Sequence, residues 1–521
     1  MKNYTRIQIA INEIHKLITK GKPQEAYILL NNFDKNLNND LSFLFIKVAL
    51  LIDIGNGLQN IEIVKEGIGI GEFIMSKLDR LQLSPAHIAT NTYNLSNGYD
   101  ALYKMMEYGC FENIPLSENL QKAKYYLRLT IELIQHLDEK LAVQIYVNYG
   151  NCLDQLGRGV EAIYAYDNAI SIAPKFSMAI ANKAKAELYF SQISGEYRIP
   201  IMINSYQKIK EVINKKDLRE IGTMGAKEHF TKVLKQIEDY INDSDLLNSD
   251  VRHEKYDSSE LSEFEEEYII FCTTEKLFLN FHIHENNCDA GTKDSVFISM
   301  FLKIQDIETF DKFAVQINQI KEDYAVARFH LFQSIYKNDT LKQVSKRTSF
   351  ANTIHNSRFN LYNGLLKSAF KEAYNILDKI AVLINDYLNL GHDNNRIYFT
   401  SIWKEKNKFN AKIMDSKNLS LYALLDVYKD FVSNEYGLAK KIRNSITHRS
   451  LIVTNEDKTI EDIIEKGQIS YAQLNREALK LLKLSKSCII YTINFINEEE
   501  TKKSRMGAKV ANIDISTEQY L

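Results

Sequence analysis

Proline is almost missing from this 521-residue chain. There are five, Pro23, Pro85, Pro115, Pro174 and Pro200, and none follows Pro200. Average usage is about 5%. Glycine is scarce as well, at 20 residues, and tryptophan occurs once. Sandwiches and barrels of many short strands need a turn signal roughly every 8–12 residues, and this chain cannot supply them. The same scarcity excludes collagen-like chains and proline-rich disordered linkers. An excess of one charge is also lacking: 65 Lys and Arg face 67 Asp and Glu, for a net charge of −2. No overall basic field announces nucleic acid, so any such site must be a local patch. The five cysteines, Cys110, Cys152, Cys272, Cys288 and Cys488, are scattered without a CxxC pair. That fits a reducing cytosol better than a disulfide framework. Long apolar runs are absent too. The most apolar window, residues 41–54, is interrupted by Lys47 and Asp53 and is shorter than the roughly 20 residues of a membrane span. Residues 1–16 alternate polar and apolar side chains and lack the apolar core of an export signal. The expectation is an all-α, cytoplasmic protein without membrane attachment.

What is present gives that expectation a form. Hydrophobic residues make up 45% of the chain, and 30 Tyr and 25 Phe can fill a large core. A repeat unit stands out from Ala142, AVQIYVNYGNCLDQLGRGVEAIYAYDNAISIAP. Small residues Gly150, Ala162 and Ala169 let two antiparallel helices approach closely. Tyr146, Leu153 and Tyr166 fill the groove between them, Gly157 permits the turn, and Pro174 stops the second helix. The spacing of these residues resembles a tetratricopeptide repeat. Weaker copies lie at residues 7–33, with Gly21, Ala26 and Leu30, at residues 88–134, and from Met178, with Ala184. One such unit cannot bury its own faces, so at least three are expected. A helical solenoid over residues 1–241 follows. The resemblance implies a concave face that takes a protein or peptide trigger; a bare scaffold is the alternative. The run GIGIG at residues 67–71 has no following Lys-Ser/Thr and sits within helical pattern, so it reads as helix packing rather than a phosphate loop.

Residues 242–259 are rich in Asn, Asp and Ser, which compete with helix through local hydrogen bonds, and read as a linker. Residues 260–497 read as a second domain and 498–521 as a tail. After an acidic helix start (Glu263, Glu265, Glu266, Glu267) come four long amphipathic stretches: 309–336, 359–390, 419–448 and 470–496. The second ends at Gly391, Gly437 breaks the third, Ser470 and Gln473 form a capping-box pair for the fourth, and Leu451–Val453 reads as a short strand. The pattern predicts an antiparallel helical bundle. His282, His284 and Cys288 have loose spacing and no nearby fourth ligand, so no metal site is expected from them.

The sharpest local feature is the run Lys440-Lys441-Ile442-Arg443-Asn444-Ser445-Ile446-Thr447-His448-Arg449. From Tyr436 to Asn455 there is no acidic residue. Leu438, Ile442 and Ile446 anchor this helix, so Arg443 and His448 lie off its apolar stripe. At about 100° per residue they are not stacked, but a long Arg and a His at a helix end can converge on one groove. A guanidinium grips phosphate bidentately. An imidazole, with pKa about 6.5, exchanges protons at neutral pH. The 2′-hydroxyl of RNA is an internal nucleophile, so such a site can cleave RNA without a metal or cofactor. It would leave a 2′,3′-cyclic phosphate and a 5′-hydroxyl.

The arrangement Arg443, Asn444, three residues, His448, late in a four-helix bundle, resembles the Rx4–6H motif of the HEPN superfamily. About residues 260–500 are similar to the LA2681-like HEPN family through EFEEEYIIFCTTEKLFLN, AFKEAYNILDKIAVLINDYLNLG, IRNSITHRSLIV and LKLLKLSKSCIIY. The resemblance implies a metal-independent ribonuclease site where two bundles meet as a homodimer. It makes Arg443 and His448 catalytic and Asn444 a supporting polar residue, in a toxin or antiphage-defence setting. Lys440, Lys441 and Arg449 would bind RNA. The acidic pair usual around the His is replaced here by Ile446 and Thr447. An acid on an earlier helix, Asp378 or Asp386, would orient Arg443. The competing reading is a non-catalytic sensor or scaffold.

Overall fold

The computed structural model describes residues 2–34, 41–78, 82–191, 198–220, 225–249, 257, 259, 261–280, 289–302, 307–336, 339–351, 357–433, 435–505 and 511–512. These residues are overwhelmingly helical, and the fold is all-α. The chain divides into two compact units: Met1–Tyr189 with Ile199–Ser249, and Phe190–Arg198 with Asp250–Leu521.

The first unit is a series of helices α1 (Lys2–Thr19), α2 (Pro23–Asp34), α3 (Leu41–Leu58), α4 (Ile61–Met75), α5 (Pro85–Met106), α6 (Glu118–Glu132), α7 (Glu139–Gln155), α8 (Gly159–Ile172), α9 (Ser177–Ser191), α10 (Arg198–Val212) and α11 (Ala226–Ile241). Successive helices pack in pairs, α1 on α2, α3 on α4, α5 on α6 and α7 on α8. This is a helical repeat. Its joints repeat too. Helix α7 ends with Gly157 at φ +80°, where Gly157 N–H donates to Asp154 and Arg158 N–H to Leu153 (3.0 and 2.8 Å). Helix α1 ends the same way, with Gly21 at φ +71° and Lys22 N–H donating to Leu17 (2.9 Å). Both are Schellman closures, which need a left-handed residue and favour glycine. The prolines mark the same punctuation. Pro23 and Pro85 open α2 and α5, Pro115 lies in a 3₁₀ turn, Pro174 follows the end of α8, and Pro200 sits in the first turn of α10. Pro23, Pro85, Pro174 and Pro200 fall where no helical N–H donor is needed, whereas Pro115 lies inside its 3₁₀ helix. The GIGIG run lies inside α4, as its helical pattern required.

Within the α7–α8 pair the Tyr166 ring lies on Gly150. A Cβ there would come within 2.7 Å of Tyr166 Cδ1 and closer still to Cε1. Tyr166 is buried, and its hydroxyl donates to Asn151 Oδ1 at 2.9 Å, so the ring cannot back away without losing a buried hydrogen bond. Gly150→Ala is therefore expected to cost about 1–3 kcal/mol, read as an earlier unfolding transition of the full chain.

The second unit opens with α12 (Glu263–Thr274), started by a full Ser262–Glu265 capping box. Four elements form the bundle: α13 (Ile307–Ile335), α14 (Leu361–Leu388), the broken pair α15 (Leu419–Val432) and α16 (Gly437–His448), and α17 (Tyr471–Arg505). α14 packs against α13, α16 and α17, and α15 packs against α17. Ile380, Phe370, Tyr491 and Phe495 fill the core, and the single tryptophan, Trp403, is fully buried, donating to Phe399 O at 2.5 Å. The strand expected after α16 forms at Ile452–Thr454 and pairs in parallel with Gln468–Ser470. Ser470 and Gln473 make the reciprocal capping bonds, each 3.0 Å. Of the boundaries that differ from the sequence reading, two have a local cause. α14 stops at Leu388 because Asn389 takes the left-handed cap (φ 55°), two residues before Gly391. α17 runs on to Arg505, because Lys502 and Lys503 pair with Glu499 and Glu500 one turn earlier. His282, His284 and Cys288 lie outside the described residues.

Candidate nucleic-acid interface

The site is built on α16. This helix buries Ala439 and Ile442 and directs its basic face outward; Lys440, Lys441, Asn444, His448 and Arg449 are exposed. Lys441, Asn444, Ser445 and His448 recur at helical spacing and therefore share one face. With Arg449 and Ile464 they line an open groove of about 580 Å³. Ile464 comes from the turn Asp462–Lys466, whose Asp462 is neutralised by Lys466 at 2.8 Å. The side chains that line the groove include Lys441 and Arg449 and no acid, and among the described residues no hydrogen bond holds the His448 ring. Lys440, on the same helix, does not line the groove.

Arg443 faces the other way, toward α14. Its guanidinium carbon lies 5.5 Å from the centre of the Tyr374 ring, and its Nη2 is 4.0 Å from Asp378 Oδ2. Nη1 reaches Asn444 Oδ1 at 3.4 Å, while buried Nε has no hydrogen-bond partner among the described residues. Asp378 accepts the Phe399 N–H at 2.8 Å. Burial pushes its carboxyl up, against the lowering pull of that hydrogen bond and of Arg443. Tyr374 is pushed up to about 12, chiefly by burial and then by the Asp378 charge. Arg443 is therefore held on the bundle by a ring face and a distant carboxylate, with hydrogen-bonding capacity to spare.

Asp386 plays no part here. It accepts from Lys312 and Gln316, each at 2.9 Å, and from Asn394 at 3.2 Å, and Lys312 helps hold its carboxyl below the usual range despite burial. Of the two acids expected beside Arg443, the fold places Asp378 there and Asp386 elsewhere. Nor do Arg443 and His448 line one groove within a single chain. Tyr374, Ser445 and Ile464 were not singled out from the sequence. Tyr374 was findable, since it precedes Asp378 by one turn on the same face; Ile464 was not, because only the fold brings its turn to α16.

Residues 304–499 match the family model for LA2681-like HEPN.

The match covers the whole bundle from α13 to most of α17 and includes α16. It spans less than half of the chain and leaves the helical repeat outside. No curated protein and no solved structure matches the chain. No helix of the described residues is long and apolar enough to cross a membrane. Among them no group of His, Cys, Asp or Glu is placed to hold a metal ion.

Proposed function

We propose that the second unit is a metal-independent endoribonuclease and that the helical repeat restrains or triggers it. The observation that carries this reading is the His448 groove: an exposed imidazole at a helix end, flanked by Lys441, Asn444, Ser445 and Arg449, within the HEPN-matching segment. Lysine and arginine there neutralise phosphate, and the imidazole moves a proton to or from the 2′-hydroxyl or the leaving oxygen. Arg443 supplies the guanidinium for the developing phosphorane charge. Because it lies off the groove in one chain, a productive site needs either a swing of Arg443 away from Tyr374 or a second bundle placed opposite in a homodimer. The tetratricopeptide resemblance of the repeat supports a protein or peptide trigger, and a toxin or antiphage role follows from that pairing of sensor and effector, in the cytoplasm.

Arg443 off the groove also favours a second reading, a bundle that binds RNA without cutting it. Full-length protein incubated with RNA in EDTA separates the two. Cleavage by the wild type, lost in Arg443→Ala, is the expected result; RNA bound but intact with both proteins supports the second reading. Asp378→Asn removes the charge beside Arg443 and is expected to lower the cleavage rate about tenfold by loosening the guanidinium, with RNA affinity little changed.

A further inference from the structure

The second unit holds another cleft, of about 320 Å³, lined among others by Phe350, Arg358, Phe359, Asn360 and Lys367. Phe350 and Phe359 stack on each other (centroids 6.0 Å apart, planes at 25°) yet remain 49% and 41% exposed. Two phenyl rings kept together and left open to solvent make a platform rather than a core. The chain around them is basic. From Thr340 to Lys371 there is no Asp or Glu, against Lys342, Lys346, Arg347, Arg358, Lys367 and Lys371. The chain has two such acid-free basic runs in this part, and the fold joins them. Lys367 Nζ donates to Leu451 O at 2.6 Å, and Arg358 N–H donates to Val453 O at 2.9 Å. Arg449, which lines the His448 groove, leaves α16 in extended conformation, and two extended residues carry the chain about 7 Å. A single backbone segment thus begins at a residue of the groove, Arg449, and within four residues is hydrogen-bonded by two residues of the cleft, Lys367 and Arg358.

We propose that this cleft is a base-stacking subsite for single-stranded RNA, continuous with the His448 groove. The inference rests on the nuclease reading of that groove and names its substrate class. Exposed aromatic faces beside cations are what unpaired bases and their phosphates require, since every unpaired base can offer its π-face, whereas the faces of duplex bases are stacked on their neighbours. The positive, acid-free lining disfavours a basic protein segment as occupant.

The test uses full-length protein and a short fluorescein-labelled oligoadenylate with 2′-O-methyl sugars, which cannot be cut, followed by anisotropy. The wild type is expected to bind the single strand, and Phe350→Ala with Phe359→Ala to weaken binding about tenfold or more. Phe359→Trp in the Phe350→Ala background should recover most of it, and binding of the same strand hybridised to its complement should not respond to the aromatic changes. Equal binding by wild type and double variant overturns the subsite and leaves the face to a protein or a second copy. A loss that tryptophan does not recover, or one shared by the duplex, overturns it too. If His448→Ala abolishes RNA cleavage while the aromatic pair leaves binding unchanged, only the subsite falls. If the wild type binds neither strand and cuts no RNA, the nuclease reading falls with it.

Discussion

His448→Ala is expected to abolish the proposed ribonuclease activity, lowering RNA cleavage by about 10²–10⁴-fold, the usual contribution of a positioned general acid or base. The fold should be untouched. His448 is exposed at the C-terminal end of α16, and no described residue hydrogen-bonds its ring, so its removal leaves no cavity and no orphaned polar group. In a bacterial expression host the same contrast should appear as growth arrest by the wild type and normal growth with His448→Ala. Equal arrest by both proteins, at equal expression, would place the toxic chemistry outside this groove.

The largest stability effect is expected at Asp294. Arg328 is buried in the second unit and grips Asp294 with two hydrogen bonds of 2.8 Å. It also donates to the Tyr268 hydroxyl at 2.8 Å and to Leu277 O at 3.1 Å, with the Phe278 ring 4.7 Å away. The pair thereby fixes α12, α13 and the segment after α12 to one another. Asp294→Ala would leave a buried guanidinium without its counter-charge, at a cost of about 3–5 kcal/mol. Replacing both partners with apolar residues, Asp294→Leu with Arg328→Met, should recover part of the loss, because the buried charges disappear together while the Leu279 N–H loses the Asp294 acceptor it has at 2.6 Å. Chemical denaturation of the full chain measures both. The pH dependence has a definite sign. Burial raises the Asp294 carboxyl, but the charge and hydrogen bonds of Arg328 outweigh it and hold it below its ordinary value. A depressed carboxylate stabilises fully above its unfolded pKa, about 4, and the benefit is lost as pH falls through the folded value. The carboxyl's own contribution to the gap between wild type and Asp294→Ala should therefore be flat around neutrality and lost only in acid, while buried Lys486, pushed down to about 7 by burial and pulled back up by Asp294, adds a change near neutrality.

The residues that were legible in the sequence are those whose role is local. Gly157 and Gly21 announce helix closures because a left-handed residue is needed wherever a Schellman turn forms. Ser470 and Gln473 announce a helix start because both partners lie within one turn. The spacing of Arg443 and His448 is likewise a property of one helix. What pairs across the fold was not legible. Asp378 and Asp386 are two turns apart on α14 and look alike in sequence; only the packing of α16 on one side and of α13 on the other assigns Arg443 to the first and Lys312 to the second. Periodicity could place Arg443 off the apolar stripe, but not say that Tyr374 draws it away from His448. The acid-free run from Thr340 to Lys371 was visible as composition, yet its meaning depends on Lys367 and Arg358 meeting the chain beyond His448, which no local pattern encodes.

The central claim is cleavage by the RNA's own 2′-hydroxyl at a site carried by α16. It is tested most directly by giving wild-type protein, in EDTA, one RNA that it cuts and the same sequence with a single 2′-deoxy nucleotide at the cut position. The account predicts that the RNA is cut to a 2′,3′-cyclic phosphate and a 5′-hydroxyl and that the deoxy-substituted strand survives at that position. Cutting of both strands, or a 3′-hydroxyl product, would contradict it.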